Sequence, residues 1–89
     1  MDAKIIMKNN DSIMYMLQPG TYEVNNPYKY VSFFAVDTVF ELTLKGFKYE
    51  VKDIKLTKDN PLCISNEGNG TISFIIGTLL VIHQNEKTI

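Results

Sequence analysis

The amino-acid sequence predicts an all-β fold, a single small antiparallel β-sandwich or barrel of about seven to nine short strands, with a jelly-roll-like arrangement among the allowed topologies. Turn-forming residues, such as Pro19-Gly20 and Lys45-Gly46, recur at short intervals. The runs between these turns are rich in Val, Ile, Thr, Tyr and Phe, and none has the spacing of a long amphipathic helix. Because the chain has no linker, repeat or low-complexity tract, residues 1–89 are expected to form one domain.

The strands are predicted in order along the chain. Residues 1–24 predict two or three strands and a hairpin. In the central run TVFELTL, apolar and polar residues alternate, so Phe40, Leu42 and Leu44 are expected on the buried face of one strand. The later run TISFII alternates in the same way. This run is expected to bury Ile72, Phe74 and Ile76 together.

The run KYEVKDIKL changes its phase in the middle. Tyr49 and Val51 hold odd positions, whereas Ile54 and Leu56 hold even ones. A strand that keeps these side chains on one face needs a bulge or bend at Lys52-Asp53, because side chains alternate between faces with a period of two. Two separate strands would explain the pattern equally well.

Two further runs do not alternate, and they raise the question of what covers their second face. Both YVSFFAV, at 30–36, and LLVIH, at 79–83, are apolar on both sides. Such strands need cover on both faces. Either the Asn- and Lys-rich loops of the same chain supply this cover, or another chain does.

Composition excludes several partners. The chain has nine Lys, no Arg and ten Asp plus Glu, which leaves a net charge of −1. A nucleic-acid binder usually shows a basic face and uses Arg for bidentate contacts, so no nucleic-acid partner is expected. No stretch reaches the roughly 20 apolar residues that span a membrane, and the N-terminus has no signal-peptide core. We therefore expect a soluble protein of intracellular origin without a membrane partner.

No catalytic, cofactor or metal motif is expected in this chain. Gly68-Asn69-Gly70 precedes a strand-like run and is interpreted as a hairpin turn rather than a phosphate loop. One cysteine, Cys63, excludes an internal disulfide, and a lone histidine, His83, cannot supply a metal cluster. A nucleophilic Cys63–His83 pair is weighed against the simpler interpretation, in which Cys63 is a buried thiol and His83 lies at a strand edge.

Aromatic and apolar side chains near turns and on the two-sided runs are the candidate contact residues. A tyrosine beside a loop suits an interface, since one side of its ring is dry while its hydroxyl reaches water. The alternative is that these rings simply cap the core. The candidate interface residues are Tyr28, Tyr30, Phe34, Val36, Phe47, Leu80 and Ile82.

About half of the chain resembles a known family. The stretches YVSFFAVDTVFELTL, at 30–44, and GTISFIIGTLLVIHQ, at 70–84, resemble the small β-structured decoration, cement and head-fibre proteins of tailed bacteriophage heads. The resemblance implies a virion structural protein, made in the cytoplasm of a bacterial host, that acts without enzymatic activity or cofactor. It also implies a homo-oligomer, with a trimer favoured, in contact with the major capsid protein or another virion protein.

A second function fits the same features. A small phage-encoded protein that binds and inhibits a host protein, for example by adding a strand to a partner sheet, would be as small and as free of catalytic motifs.

Overall fold

The computed structural model describes residues 3–86, and within that range it consists of strands and loops without a helix. This confirms the all-β prediction and the small barrel-or-sandwich architecture. Within the same range there is accordingly no helix long and apolar enough to cross a membrane. The eight strands, all paired antiparallel, are β1 (Ala3–Lys8), β2 (Ser12–Leu17), β3 (Gly20–Val24), β4 (Tyr30–Lys45), β5 (Val51–Leu56), β6 (Cys63–Asn66), β7 (Gly70–Phe74) and β8 (Ile76–Gln84).

Strand β4 is the central strand of the fold and belongs to two sheets. Its first part pairs with β8 and β6, and its last part pairs with β7 and β5. The first sheet therefore runs β1-β2-β8-β4-β6, and the second runs β3-β7-β4-β5. Because one strand of 16 residues passes through both, the sheet curls around a common core.

A bulge in β4 marks the passage between the two sheets. Glu41 has a φ of 53°, a left-handed conformation that is uncommon for a residue with a Cβ, and the pairing register with β5 shifts between Val39 and Leu42. The bulge turns Phe40 outward, so that 38% of its surface is exposed. The expectation that Phe40 is buried beside Leu42 and Leu44 is therefore wrong for Phe40, and confirmed for the two leucines.

Strand β5 contains the bulge predicted from the phase change. Asp53 has a φ of 50°, and its N–H donates to Thr43 Oγ1 of β4 at 3.1 Å. Val51, Ile54 and Leu56 pair with β4 along one continuous strand, although the register shifts. The bulge is thus confirmed over the alternative of two separate strands.

Two turn predictions at the C-terminal side need correction. Strands β6 and β7 pair with different parts of β4 and not with each other, so Gly68-Asn69-Gly70 is a connection between sheets and not a hairpin turn. Strand β7 ends at Phe74 and the chain bends at Ile75, which leaves Ile76 54% exposed rather than buried with Ile72. Period-two alternation fails here because the strand is shorter than the apolar run.

The core lies between the two sheets and contains residues from seven strands and the loop after β4. Its fully buried members include Val31 and Phe33 from β4 and Leu79 and Val81 from β8, as the inward half of the two-sided runs requires. Seven of the described strands share this one core. That residues 1–89 form one domain stays a prediction.

Candidate functional site

The short strand β6 carries buried polar groups and a strained backbone. Ser65 has a φ of 54°, and its N–H donates to the Oγ of Ser32, a fully buried side chain on β4, at 2.8 Å. Ser65 and Asn66 are themselves buried. A left-handed residue in a buried strand costs on the order of 1–3 kcal/mol and persists only where the surroundings hold it, so such strain is a reason to look for a site nearby.

Asn66 fixes the main chain of Tyr49. Its Oδ1 accepts the N–H of Tyr49 at 2.9 Å, and its Nδ2 donates to the carbonyl of Tyr49 at 2.8 Å. The same Oδ1 also accepts the N–H of Glu67 at 2.9 Å. Because Asn66 is only 2% exposed and Tyr49 lies in a loop, this buried amide takes the place of a neighbouring strand.

The loop between β4 and β5 turns one aromatic ring inward and the next one outward. Phe47 is buried and meets Phe33 edge to face, with ring centroids 5.4 Å apart. Gly70 makes room for it, since a Cβ there would lie 2.8 Å from the Phe47 ring and 2.3 Å from the carbonyl oxygen of Lys45. With Phe47 anchored, Tyr49 leaves 57% of its surface exposed.

A small cleft opens beside the exposed ring. It has a volume of about 60 Å³. Leu62, on its rim, is 57% exposed, like Tyr49. The cleft is lined by Leu44, Tyr49, Val51, Leu62, Cys63, Ile64 and Asn66. An open depression of about 420 Å³ adjoins it and shares Leu44 and Val51 with it.

A lysine and a glutamate complete the surroundings of Tyr49. The Nζ of Lys48 lies 5.3 Å from the centroid of the Tyr49 ring and 3.2 Å from Glu67 Oε2. The hydrogen bond of this ammonium with the Glu67 carboxylate raises the pKa of Lys48. The site thus combines an aromatic face, an apolar rim and a carboxylate, which are the groups that recognise a flat organic cation.

A second buried polar cluster has its centre at His83. Asn26 Oδ1 accepts the N–H of Tyr28 at 3.1 Å and lies 2.8 Å from His83 Nδ1. Since that oxygen can only accept, Nδ1 carries the proton, and Nε2 accepts from the Tyr15 hydroxyl at 2.8 Å. Burial lowers the pKa of His83 to about 4 and raises the pKa of Tyr15 to about 12.

The structure assigns Cys63 and His83 to different surroundings. Cys63 is buried, as expected, and burial raises the pKa of its thiol to about 11, which disfavours the thiolate that a nucleophile needs. Both ring nitrogens of His83 are taken by Tyr15 and Asn26, so neither is left for Cys63. The strand-edge position expected for His83 is wrong, because β8 lies between β2 and β4.

The candidate interface residues fall into two groups. Phe47 is buried in the core, so this ring is not an exposed anchor. Phe34 and Leu80 are paired across β4 and β8 on the face away from the core. Apart from Phe47, all of the candidates are half-buried: Tyr28, Tyr30, Phe34, Val36, Leu80 and Ile82. Their role in contacts with another chain stays a prediction.

Sequence reasoning missed the residues that build this site. It assigned Tyr49 to the inward face of a strand, whereas β5 begins at Val51 and Tyr49 belongs to the loop. It did not single out Ser65 and Asn66. The signal that could have found them is a Ser-Asn pair directly after the short apolar run LCI, at the end of a strand-like segment, since buried polar residues require specific partners.

Together these features define a small all-β domain with an exposed tyrosine ring beside a small cleft. The family model of the thiamin pyrophosphokinase vitamin B1 binding domain matches residues 20–78. The chain belongs to this family.

Relatives with known names support the assignment. Thiamine pyrophosphokinase of Bacillus subtilis is 35% identical over 91 residues, which cover 96% of this chain and 42% of the relative. The crystal structure of the Bacillus subtilis enzyme matches with a TM-score of 0.80 and 35% identity, over 86% of this chain and 39% of that one. The Geobacillus thermodenitrificans enzyme gives a TM-score of 0.78 and 39% identity, over 85% and 38%. The chain therefore spans about two fifths of the length of these relatives.

These findings overturn the functional expectations drawn from the sequence. The resemblance to phage head proteins was carried by turn and strand patterns that many small β domains share, and it is wrong. The same relatives contradict the virion location, the capsid role and the alternative of a phage-encoded inhibitor. The expectation that the chain has no enzymatic role is also contradicted, because its relatives are thiamine pyrophosphokinases.

Proposed function

We propose that this chain is the thiamine-binding β domain of a thiamine pyrophosphokinase and that the cleft beside Tyr49 receives the vitamin. The observation that carries the proposal is the exposed Tyr49 ring, on a residue whose main chain is held by the buried Asn66 inside the stretch matched by the family model. Thiamine consists of a cationic thiazolium ring, an aminopyrimidine ring and a hydroxyethyl arm. Both rings are flat and suit stacking on a tyrosine.

The contribution of this domain to such an enzyme is binding and orientation. Asn66 holds the main chain of Tyr49 at both its N–H and its carbonyl, so the backbone that carries the ring is fixed before the ligand arrives. Preorganisation of this kind lowers the entropy cost of binding. A pyrophosphokinase must then present the hydroxyl of the ligand to the diphosphate donor, and we assign the donor site to the part of the relatives that lies outside this chain.

The size of the cleft supports a shared site. Pockets that enclose a drug-sized molecule usually measure about 300–1,000 Å³. The cleft beside Tyr49 measures about 60 Å³ and receives only the edge of one ring. A second wall, supplied by the remaining part of a longer enzyme or by another copy of the chain, would close over the ligand.

Replacement of Tyr49 by leucine tests the proposal. We expect saturation-transfer NMR to detect thiamine bound to the 89-residue chain, and we expect Tyr49→Leu to lower the affinity about tenfold, since cation–π and stacking contacts are worth about 1–2 kcal/mol. The matched control is Tyr30→Leu, which removes a half-buried tyrosine from β4 and should leave thiamine binding unchanged. Equal affinities in the wild type and Tyr49→Leu, or no thiamine binding at all, would refute the proposal.

A further inference from the structure

The ammonium of Lys48 lies beside the Tyr49 ring, which is the ring on which the proposed function places the ligand. Its Nζ lies 5.3 Å from the centroid of the Tyr49 ring and bonds Glu67 Oε2 at 3.2 Å. The main chains are also joined, because the N–H of Lys48 donates to the carbonyl of Glu67 at 2.9 Å. The lysine side chain can leave the ring while the main-chain bond keeps Glu67 beside it.

We propose that Tyr49 and Glu67 form a subsite for a heteroaromatic cation, and that the Lys48 ammonium occupies this subsite in the free protein. The proposal rests on the proposed function and deepens it, since it names the groups that select the charged ring of the ligand. An ammonium between an aromatic face and a carboxylate makes the same two interactions that an organic cation would make there. Lys48 is thus a specificity-determining residue that competes with the ligand.

The exchange between lysine and ligand favours a charged ligand over a neutral one. A primary ammonium is strongly hydrated and returns to water readily, whereas a delocalised ring cation is weakly hydrated and gains more from an aromatic face. The departing Lys48 leaves Glu67 without its cation, and only a charged ligand replaces that cation. A neutral ring of the same shape would leave the carboxylate unpaired.

The chain contains a matched lysine–tyrosine pair without a carboxylate. The Nζ of Lys29 lies 5.5 Å from the centroid of the Tyr30 ring, almost the same distance as in the Lys48–Tyr49 pair. Among the side chains that the structure describes, those of residues 5–86, the one ion pair joins Lys48 and Glu67, and Lys29 is not part of it. Lys29 therefore controls for the general effect of removing a lysine beside a tyrosine.

The test is an NMR titration of the tyrosine ring protons with two small probes. These are 3,4-dimethylthiazolium, which is cationic, and 4-methylthiazole, which is neutral near pH 7. We expect Lys48→Met to raise the affinity of the cation for Tyr49 about threefold, and Glu67→Gln to lower it by a similar factor. Lys29→Met should match the wild type for both probes. The neutral probe should bind more weakly than the cation to the wild type, and Glu67→Gln should not lower its affinity.

Two results would overturn the subsite. One is an unchanged cation affinity in Lys48→Met, and the other is an equal loss of affinity for the neutral probe in Glu67→Gln, which would mean that Glu67 does not act through its charge. Glu67→Gln acts in the opposite direction to Lys48→Met, so a general loss of structure cannot imitate both results. Amide spectra of each variant confirm that the fold is kept.

Thiamine, titrated into the same four proteins, separates this inference from the proposed function. If thiamine binds through Tyr49 but Lys48→Met leaves its affinity unchanged, the proposed function stands and the subsite is wrong. If the thiazolium probe binds as expected and thiamine does not, the subsite stands and the proposed function is wrong.

Discussion

Two asparagines organise the buried polar groups of this domain in different ways. Asn26 joins the N–H of Tyr28 to His83, and the chain of hydrogen bonds continues to Tyr15 and ends inside the protein. Asn66 binds the main chain of Tyr49, and the ring of that tyrosine points out of the protein. We call the group of Asn26, His83 and Tyr15 the closed cluster. We call the pair of Asn66 and Tyr49 the open cluster, because it presents a side chain to solvent.

The two asparagine amides differ in how many of their polar atoms are hydrogen-bonded, and we relate this difference to stability for Asn26 and to the proposed binding for Asn66. Both nitrogen and oxygen of the Asn66 amide are used, so the loop that carries Tyr49 is fully determined. In the Asn26 amide the buried Nδ2 has no hydrogen-bond partner. We infer that the closed cluster fixes the loop before β4, while the open cluster fixes the main chain that carries the exposed Tyr49 ring.

The largest effect is expected from breaking the open cluster. Asn66→Ala removes the partners of two N–H groups and one carbonyl, and the loss of three part-buried hydrogen bonds costs about 3 kcal/mol together. We expect that loss in urea unfolding, and with it at least the tenfold loss of thiamine affinity expected for Tyr49→Leu. Normal thiamine affinity in a folded Asn66→Ala protein would show that the amide does not position the ring.

A pH series tests the closed cluster. Burial lowers the pKa of His83 from an ordinary value of 6.5 to about 4. Between these values the unfolded chain binds a proton that the folded chain does not, so the free energy of unfolding falls as the pH drops from 6.5 to 4 and is unaffected above that window. The loss reaches about 3 kcal/mol at the lower end, since His83 is only 2% exposed.

His83→Gln is the control for this series. Glutamine does not titrate, so its unfolding free energy should lack the slope between pH 6.5 and 4 that the wild type shows, while both proteins share the titration of their carboxylates. Parallel curves for the two proteins would mean that His83 does not carry the effect. Thiamine affinity at pH 7 should be the same in both, because His83 belongs to the closed cluster.

The smallest effect is expected from Asn26→Asp, which sharpens the comparison. A carboxylate still accepts from Tyr28 and from His83 Nδ1, and it removes the unpartnered Nδ2. Its negative charge favours the imidazolium, so the pKa of His83 should rise. Stability at neutral pH should change by about 1 kcal/mol or less, since the cost of burying the charge opposes the gain. Titration of the His83 ring protons by NMR measures the shift, and an unchanged pKa would contradict this geometry.

Much of the fold could be predicted from alternation and turn residues. The burial of Leu42 and Leu44 and the bulge in β5 followed from period-two patterns, because a strand with one buried face leaves that signature in the sequence. The outward position of Phe40 could not be predicted. It depends on the left-handed Glu41, whose conformation is decided by pairing with a strand distant in the sequence.

The candidate site was harder to predict than the fold. Tyr49 was visible as an aromatic residue, but its exposure depends on Phe47 and Asn66 together. The partners Asn66 and Tyr49 are 17 residues apart, and no local spacing joins them. The phage resemblance failed for a related reason, since turn and strand patterns describe an architecture and carry no information about a site.

By itself, the sequence determined the class of the fold, the positions of most turns and the inward face of the central strands, because these depend on local propensity and on the burial of apolar surface. Only the tertiary structure decided that β4 serves two sheets, that His83 and Asn66 lie in different polar clusters, and that Tyr49 meets Lys48 and Glu67 at the surface. Those contacts join residues from separate strands and loops. Hydrogen bonds between buried polar groups form only where the packed chain brings a donor and an acceptor together.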